Sequence, residues 1–272
     1  MFKDIMLGQY VPVKSPLHAI NPPLKIVFTI LYMTTLFMVK TYCAYAVFTV
    51  YTLLLMFISA VPVRIILKGL RPMLWILVFT AVLNVFMTPG DAVWSMSVFG
   101  FTLKITREGL SAGALMVVRL IYLLIGTSLL TLTTSPLQLT DGIETLLRPF
   151  NKIRVPSHEI AMMMTIAIRF IPTLAEETDK IMKAQTARGA DFETGNIIKR
   201  AKAMVPLLVP LFISAFRRAD ELATAMEARC YNGGKNRTKM KESRMTVTDL
   251  KAGVIFAAGL AVILLAEFWV YF

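Results

Sequence analysis

Residues 110–132 read LSAGALMVVRLIYLLIGTSLLTL, an apolar run that contains a single charge, Arg119. About 20 apolar residues in an α-helix cross the hydrocarbon core of a bilayer, so this run predicts a membrane-spanning helix. Four further apolar runs have a similar character, at residues 24–39, 44–63, 72–89 and 254–271. We therefore predict an all-α integral membrane protein with about five transmembrane helices.

The composition agrees with a membrane protein. Of the 272 residues 56% are apolar, and the mean hydropathy is +0.65. The 29 Lys and Arg outnumber the 17 acidic residues, which favours an anionic leaflet or an acidic protein partner. Because the basic residues alternate with apolar runs, we expect membrane lipid and no nucleic acid as a partner. Cys43 lies in an apolar run and Cys230 in a basic stretch, so we expect no disulfide.

The distribution of Lys and Arg predicts the topology, because short cytoplasmic loops carry an excess of them. The turns on the predicted outer side contain only three basic residues, Lys40, Lys104 and Arg107. This asymmetry predicts a cytoplasmic N-terminus and, after five crossings, an external C-terminus. Residues 1–10 lack the apolar core of a signal peptide, so we expect no cleavage there. Residues 91–106 partly alternate apolar with polar residues and predict a hairpin on the outer face. The basic residues on the predicted inner side are Lys3, Lys14, Lys25, Arg64, Lys68 and Arg71.

The region of residues 134–245 is different, with 18 Lys and Arg and 12 acidic residues. Its two apolar runs, residues 160–175 and 203–216, are too short to span. If both did span, the basic segment between them would lie outside, against the charge rule. We predict long cytoplasmic coupling helices along the inner face. The chain is thus divided into a transmembrane part (1–133), a coupling-helix region (134–245) and a final transmembrane helix (246–272).

This polar region contains an internal repeat. Residues 184–191 read AQTARGAD and residues 225–232 read AMEARCYN, which share the pattern Ala-x-x-Ala-Arg-small-x-Asp/Asn. Charge pairs at i,i+4 precede each copy and predict exposed helices. These pairs are Glu176 with Lys180, Asp179 with Lys183, and Arg217 with Glu221.

Glycines predict where these helices end: Gly189 after the first copy, and Gly233-Gly234 after the second. Arg188 and Arg229 would each occupy the last turn of a helix. The helix dipole alone favours an arginine there. Two copies at matched positions instead indicate two docking sites, because a guanidinium fork suits a carboxylate or backbone carbonyls on a partner.

Two stretches resemble the T components (EcfT) of energy-coupling factor (ECF) transporters. Residues 8–12 read GQYVP and residues 15–25 read SPLHAINPPLK, similar to the family's Gly-x-Tyr…Ser-x-Leu-His-x-Leu-Asp-Pro-x-x-Lys lead-in. Asn21 stands where Asp is usual, and Pro23 where Arg is common. The second stretch is the pair of Ala-Arg-Gly-type motifs, in which Arg188 matches fully and Arg229 is followed by Cys230 instead of Gly or Ser. The resemblance covers nearly the whole chain.

The resemblance implies a non-catalytic coupling subunit in the plasma membrane of a prokaryote. In the family, two ATP-binding subunits, identical or different, each receive one coupling helix. A small membrane-embedded substrate-binding subunit, the S component, packs on the other side of these helices. ATP-driven closure of the ATPases reorients it for vitamin or metal uptake. ATP is bound by the partners, and this chain is expected to hold no cofactor or metal. The implied docking residues are Ala187, Arg188, Gly189, Ala228, Arg229 and Cys230.

Few other residues of the sequence suggest chemistry. The run His158-Glu159-Ile160-Ala161-Met162 begins like a zinc-protease helix but has Met162 at the second histidine position, so we expect no zinc. No Gly-x-x-x-x-Gly-Lys-Ser/Thr phosphate loop is present in the sequence. Arg119, an intramembrane charge, predicts a polar contact with another helix, a contact with a partner subunit or a substrate path. The alternative function is therefore a self-contained secondary transporter that uses Arg119 and Asn84.

Overall fold

The computed structural model describes residues 10–98, 101–153, 156–192, 196–233 and 245–269. This part of the chain is almost entirely helical, with one β-hairpin. Its elements, in chain order, are α1 (Pro16–Ala19), α2 (Pro22–Met38), α3 (Tyr42–Ser59), α4 (Val63–Leu70), α5 (Leu74–Met87), β1 (Ala92–Val98), β2 (Phe101–Thr106), α6 (Arg107–Thr133), α7 (Pro136–Leu147), α8 (Ser157–Ala187), α9 (Ile197–Ala228) and α10 (Val247–Trp269).

The predicted all-α membrane fold is confirmed. The five apolar runs correspond to α2, α3, α5, α6 and α10. Among the described helices, α3, the continuous stretch Val63–Met87, α6 and α10 are long and apolar enough to cross a membrane. Helix α2 is apolar but has 17 residues, at the short end of the usable range.

Some helix boundaries differ from the prediction. The second run was expected to continue to residue 63, but α3 ends at Ser59 because Ala60 has a left-handed backbone (φ 52°) and Pro62 follows. Arg64 and Lys68, which the sequence places between the second and third apolar runs, lie in the short helix α4. This helix continues into α5 through one 3₁₀ turn at Arg71–Met73. Hydropathy misses this helix because its basic residues interrupt the apolar ones.

The last predicted run also begins earlier in the structure, since α10 starts at Val247. Asp249 in its first turn accepts a hydrogen bond from the backbone N–H of Thr246 (2.8 Å), which stabilises the helix start. Residues 270 and 271 of that run lie outside the described residues.

The predicted hairpin is confirmed. Strands β1 and β2 pair antiparallel, from Ala92 opposite Thr106 to Val98 opposite Phe101, with an irregularity between Ala92 and Trp94. Residues 99 and 100 at the turn lie outside the described part, and its location on the outer face stays a prediction.

The described residues form two compact units. The first, the membrane unit, lies within residues 8–142 and 243–272, and the second, the coupling unit, lies within residues 143–242. The division at 133/134 and 245/246 came from hydropathy and concerns the membrane, so it stays a prediction.

In the membrane unit, helices approach closely where glycine faces a tyrosine. A Cβ at Gly126 in α6 would lie 2.6 Å from Cε1 of Tyr32 in α2. A Cβ at Gly259 in α10 would overlap Cε2 of Tyr51 in α3. Small residues allow this close approach, which provides the van der Waals packing that holds helices together in lipid. The hydroxyl of Tyr32 also shares a hydrogen bond with that of Thr52 (2.9 Å) in α3.

The coupling unit contains the predicted long helices. Helices α8 and α9 have 31 and 32 residues, so each is about 47 Å long at 1.5 Å per residue. The two short apolar runs lie inside them and are interrupted by Pro172 in α8 and by Pro206 and Pro210 in α9.

We predict that Gly126→Ala lowers the stability of the membrane unit by about 1–3 kcal/mol, because the added methyl group would overlap the Tyr32 ring. Gly69→Ala in α4 is the matched control, since no atom lies within 4 Å of its Cβ position. It should be neutral or slightly stabilising. The measurement is thermal unfolding of each purified variant in detergent, and equal melting temperatures for the two variants would contradict the packing argument.

Candidate functional site

The two arginine motifs form the same backbone structure at the ends of α8 and α9. In the first, the N–H of Gly189 donates to the carbonyl of Thr186 (2.9 Å), and that of Ala190 donates to Gln185 (3.0 Å). In the second, Cys230 donates to Glu227 (2.8 Å), and Tyr231 donates to Met226 (3.0 Å). Both are Schellman motifs. The internal sequence repeat is therefore also a structural repeat.

Each arginine lies one residue beyond its helix and not in the last turn as predicted, since α8 ends at Ala187 and α9 at Ala228. The next residue is left-handed in both copies: Gly189 has φ 88° and Cys230 has φ 56°. The predicted stop at Gly233-Gly234 is therefore wrong. Cys230 is the left-handed residue that terminates α9, although a residue with a Cβ is disfavoured in that conformation. Gly233 adopts φ 74° only after the helix has ended, and Gly234 lies outside the described residues.

All six predicted docking residues are exposed: Ala187, Arg188, Gly189, Ala228, Arg229 and Cys230. Within the described ranges, neither guanidinium makes a hydrogen bond or an ion pair. The small residues on either side leave the guanidinium groups accessible. The two arginines are therefore available to bind a partner.

Helices α8 and α9 run antiparallel. Glu177 Oε2 of α8 lies 2.7 Å from Arg218 Nη2 of α9. Near the start of α8, Oε1 of Glu159 lies 3.9 Å from the position that a Cβ would occupy at Gly233, which follows α9. The chain after α9 therefore returns towards the beginning of α8. Among the described residues, none of the charge pairs predicted within α8 or α9 forms an ion pair. The carboxylate that does form one is that of Glu177, which contacts α9.

This arrangement places the two motifs on opposite sides of the Glu177–Arg218 contact. Arg188 follows Glu177 by eleven positions, and Arg229 follows Arg218 by the same number. At the helical rise each motif lies about 16 Å from the contact, so the two arginines are up to about 33 Å apart.

The lead-in before α2 is fixed by His18. Its Nε2 donates to the carbonyl oxygen of Val11 (3.1 Å), and its Nδ1 accepts from the Ser15 hydroxyl (2.7 Å). Burial lowers the pKa of His18 below its ordinary value, and the nearby Lys25 charge lowers it further. A neutral ring suits this pattern of one donor and one acceptor nitrogen.

Lys25 joins the lead-in to the end of α6. Its Nζ donates to the carbonyls of Thr133 (2.9 Å) and His18 (3.2 Å). The N–H of Val11 donates to the carbonyl of Leu132 (3.0 Å). These contacts satisfy carbonyls that the last turn of a helix leaves without an internal partner. The lead-in motif, to which the sequence assigned no role, therefore holds α2 and α6 together.

Arg119 has partners on other helices. Its Nε donates to the hydroxyl of Tyr45 in α3 (2.9 Å), and its Nη2 donates to the carbonyl of Val39 after α2 (2.9 Å). The guanidinium carbon also lies 6.0 Å and 5.9 Å from the ring centroids of Phe37 and Tyr45. The second residue of the alternative transport path, Asn84, donates to the carbonyl of Thr80 in its own helix (2.9 Å). Both side chains thus make contacts that support the fold.

Comparisons with known proteins agree with the motifs. Residues 13–240 match the family described as cobalt transport protein, CbiQ. The chain is 55% identical over 250 residues to the energy-coupling factor transporter transmembrane protein EcfT of Thermosediminibacter oceani, covering 92% of this chain and 93% of that protein. It is 54% identical over 269 residues to EcfT of Clostridium kluyveri and 52% over 268 residues to EcfT of Ruminiclostridium cellulolyticum, with at least 98% of each chain covered.

The chain belongs to the EcfT family. It is therefore a transmembrane component of an ECF transporter, and the resemblance drawn from the two motifs is confirmed.

Two carboxylates of this EcfT protein were not singled out from the sequence. Glu267 of α10 accepts hydrogen bonds from the backbone N–H groups of Lys40 (3.2 Å) and Thr41 (3.0 Å), at the start of α3. Asp249 accepts from the N–H of Asn21 (2.9 Å), at the start of α2. Both carboxylates are buried. For Glu267, an acidic residue within an apolar run was the available signal.

Metal-binding residues are not clustered in the ranges that the structure describes: no group of three or more His, Cys, Asp or Glu side chains could hold an ion there. His158, the residue that suggested a zinc-protease helix, has Nδ1 at 3.2 Å from Oε1 of the buried Glu144.

We predict that Cys230→Gly raises the amide hydrogen-exchange protection of the end of α9 about fivefold, because glycine removes a left-handed strain of about 1 kcal/mol. The reciprocal change, Gly189→Cys, should lower the protection of the end of α8 by a similar factor. Peptide-level exchange of the purified protein measures both. Lower protection in Cys230→Gly would show that the two helix ends are not equivalent.

Proposed function

We propose that this EcfT protein is the non-catalytic coupling subunit of a vitamin or metal importer. It would link ATP hydrolysis by two ATPase subunits to the movement of a membrane-embedded S component. The observation that carries the proposal is the pair of exposed arginines at identical helix ends, Arg188 and Arg229, which have no partner among the residues that the structure describes. Two equivalent sites that project in opposite directions suit a partner made of two similar subunits.

The charge of these sites fits ATPase docking. A guanidinium with small neighbours can enter a groove and bind a carboxylate or several carbonyl oxygens with its planar fork. The separation of up to about 33 Å allows one motif to reach each of two subunits that lie side by side.

An exposed apolar stripe on α9 supports docking of the S component. Its seven residues are each 41–67% exposed and recur at helical spacing. A membrane-embedded partner would cover such a stripe, and the charged ends of α8 and α9 would remain available to the ATPases. The stripe contains Met204, Val205, Leu208, Val209, Phe212, Ile213 and Phe216.

The charge distribution supports a plasma-membrane topology with the N-terminus inside and the C-terminus outside. With five crossings, α8 and α9 lie along the cytoplasmic face, where the ATPases and ATP are found. In the turn between α2 and α3, Lys40 would face the exterior.

We predict that Arg188→Ala together with Arg229→Ala abolishes co-purification of the ATPases from membranes. Loss of a charged hydrogen-bonded contact at a buried interface costs about 2–5 kcal/mol. Each single change should only weaken retention, because the second motif remains. Arg→Lys should rescue poorly, since an ammonium group lacks the planar fork.

The matched control is Arg217→Ala, an exposed arginine within α9 that lies far from either motif along the helix. It should retain the ATPases and their hydrolysis rate. If the double variant still assembles and hydrolyses ATP like the unmodified complex, the motif arginines have no docking role.

We predict that a membrane-impermeant maleimide labels Lys40→Cys, but not Lys183→Cys, in intact cells. Both lysines are exposed, and the background is Cys43→Ala with Cys230→Ala. The pattern should reverse in inside-out vesicles. Labelling of position 183 from outside would refute the topology.

A further inference from the structure

Helices α8 and α9 are joined by a charged contact that we name the crossing clasp: Glu177 of α8 with Ser214 and Arg218 of α9. Oε2 of Glu177 accepts from Nη2 of Arg218 (2.7 Å), and Oε1 accepts from the Ser214 hydroxyl. Both oxygens of the carboxylate are therefore used, which fixes its orientation as well as its position. The clasp is partly shielded, with 22% of the Glu177 side chain and 39% of the Arg218 side chain exposed.

The two ends of the clasp are equivalent positions of the internal repeat. Glu177 and Arg218 are separated by 41 positions in the chain, and the same offset relates Arg188 to Arg229. In an antiparallel pair of equivalent helices, a residue meets its own equivalent only at the local twofold axis, as in an isologous interface. The clasp therefore marks the axis between the two docking motifs.

The repeat also extends to the hydroxyl group of the clasp. Thr173 of α8 is the equivalent of Ser214, and each precedes its clasp residue by four positions, so that both lie on the same helix face. The Thr173 hydroxyl now donates to the carbonyl of Phe170 in its own helix (2.8 Å). The helices thus carry two copies of the clasp framework, with acidic and basic residues exchanged between them.

We use the term docking arms for the two helix segments that run from the clasp to Arg188 and to Arg229. We propose that the crossing clasp is a positioning element that fixes the angle between these docking arms, so that a movement of one arm is transmitted to the other. This inference rests on the proposed coupling function. In this role Glu177 and Arg218 act through the helix direction that they impose on the motifs of Arg188 and Arg229.

The equivalence of the two positions provides a charge-exchange test. Glu177→Arg places two arginines at the axis and should open the clasp. Adding Arg218→Glu restores a pair of opposite charges. The Thr173 hydroxyl would then donate to the new carboxylate, as the Ser214 hydroxyl now donates to Glu177. The exchanged pair should recover the behaviour of the unmodified protein. A contact that depended only on its local surroundings would not tolerate this exchange.

The matched control uses the preceding residues, Glu176 and Arg217, which are related by the same offset and carry the same charges. Both are exposed and have no ion-pair partner in the part of the chain that the structure describes. Glu176→Arg should therefore leave the arms unchanged.

The readout is the distance between spin labels at Lys183→Cys and Thr224→Cys, measured in the assembled complex with Cys43 and Cys230 replaced by alanine. These positions are exposed, equivalent in the repeat, and outside the motifs. We expect a narrow distribution for the unmodified arms, which stays in place when a non-hydrolysable ATP analogue is added, because a fixed angle makes both labels move together. Glu177→Arg should broaden the distribution and make it change with the analogue, and the exchanged pair should restore the narrow, constant distance.

ATPase co-purification separates the two hypotheses. If Arg188→Ala with Arg229→Ala releases the ATPases but Glu177→Arg leaves the label distances unchanged, the clasp proposal fails and the docking proposal stands. A failure of the exchanged pair to restore the distances also overturns the clasp. If the ATPases remain bound to the double arginine variant, the docking proposal fails, and the clasp proposal fails with it.

Discussion

Backbone groups at helix ends need partners where water is scarce, and in the membrane unit they obtain them from charged side chains of other helices. Lys25 binds carbonyls at the end of α6, Arg119 binds the carbonyl after α2, and Glu267 accepts from N–H groups at the start of α3. In lipid an unsatisfied backbone group costs several kcal/mol. These contacts join α2, α3, α6 and α10 at their ends, and the close glycine contacts then align them along their length.

Features that depend on local pattern could be predicted from the sequence. Apolar runs predicted the membrane helices, alternation predicted the hairpin, and self-comparison predicted the two motifs at helix ends. Features that depend on distant residues could not be predicted. The partners of Glu267 and Lys25 lie 227 and 108 positions away in the chain. The left-handed Ala60 and Cys230 were also missed, because only glycine signals that conformation from sequence.

Intramembrane polar residues are ambiguous in sequence, because the same cost explains a transport path and a structural contact. Here the geometry distinguishes them for Arg119 and Asn84. The Arg119 fork binds across helices, and Asn84 turns back to its own backbone. The distinctive chemistry of the chain is instead at the two exposed helix ends of the coupling unit, where the repeated Schellman motif places both arginines at the same backbone position relative to their helices.

The equal arms make α8 and α9 a balanced lever with its fulcrum at Glu177 and Arg218. On arms of about 16 Å, a turn of about 10° at the fulcrum moves each tip by only about 3 Å. Because the arms are equal, the same force at either tip produces the same torque and therefore the same rotation. If two ATPase subunits pulled with unequal forces, the rotation would follow the sum of the two torques, and both tips would move through the same angle.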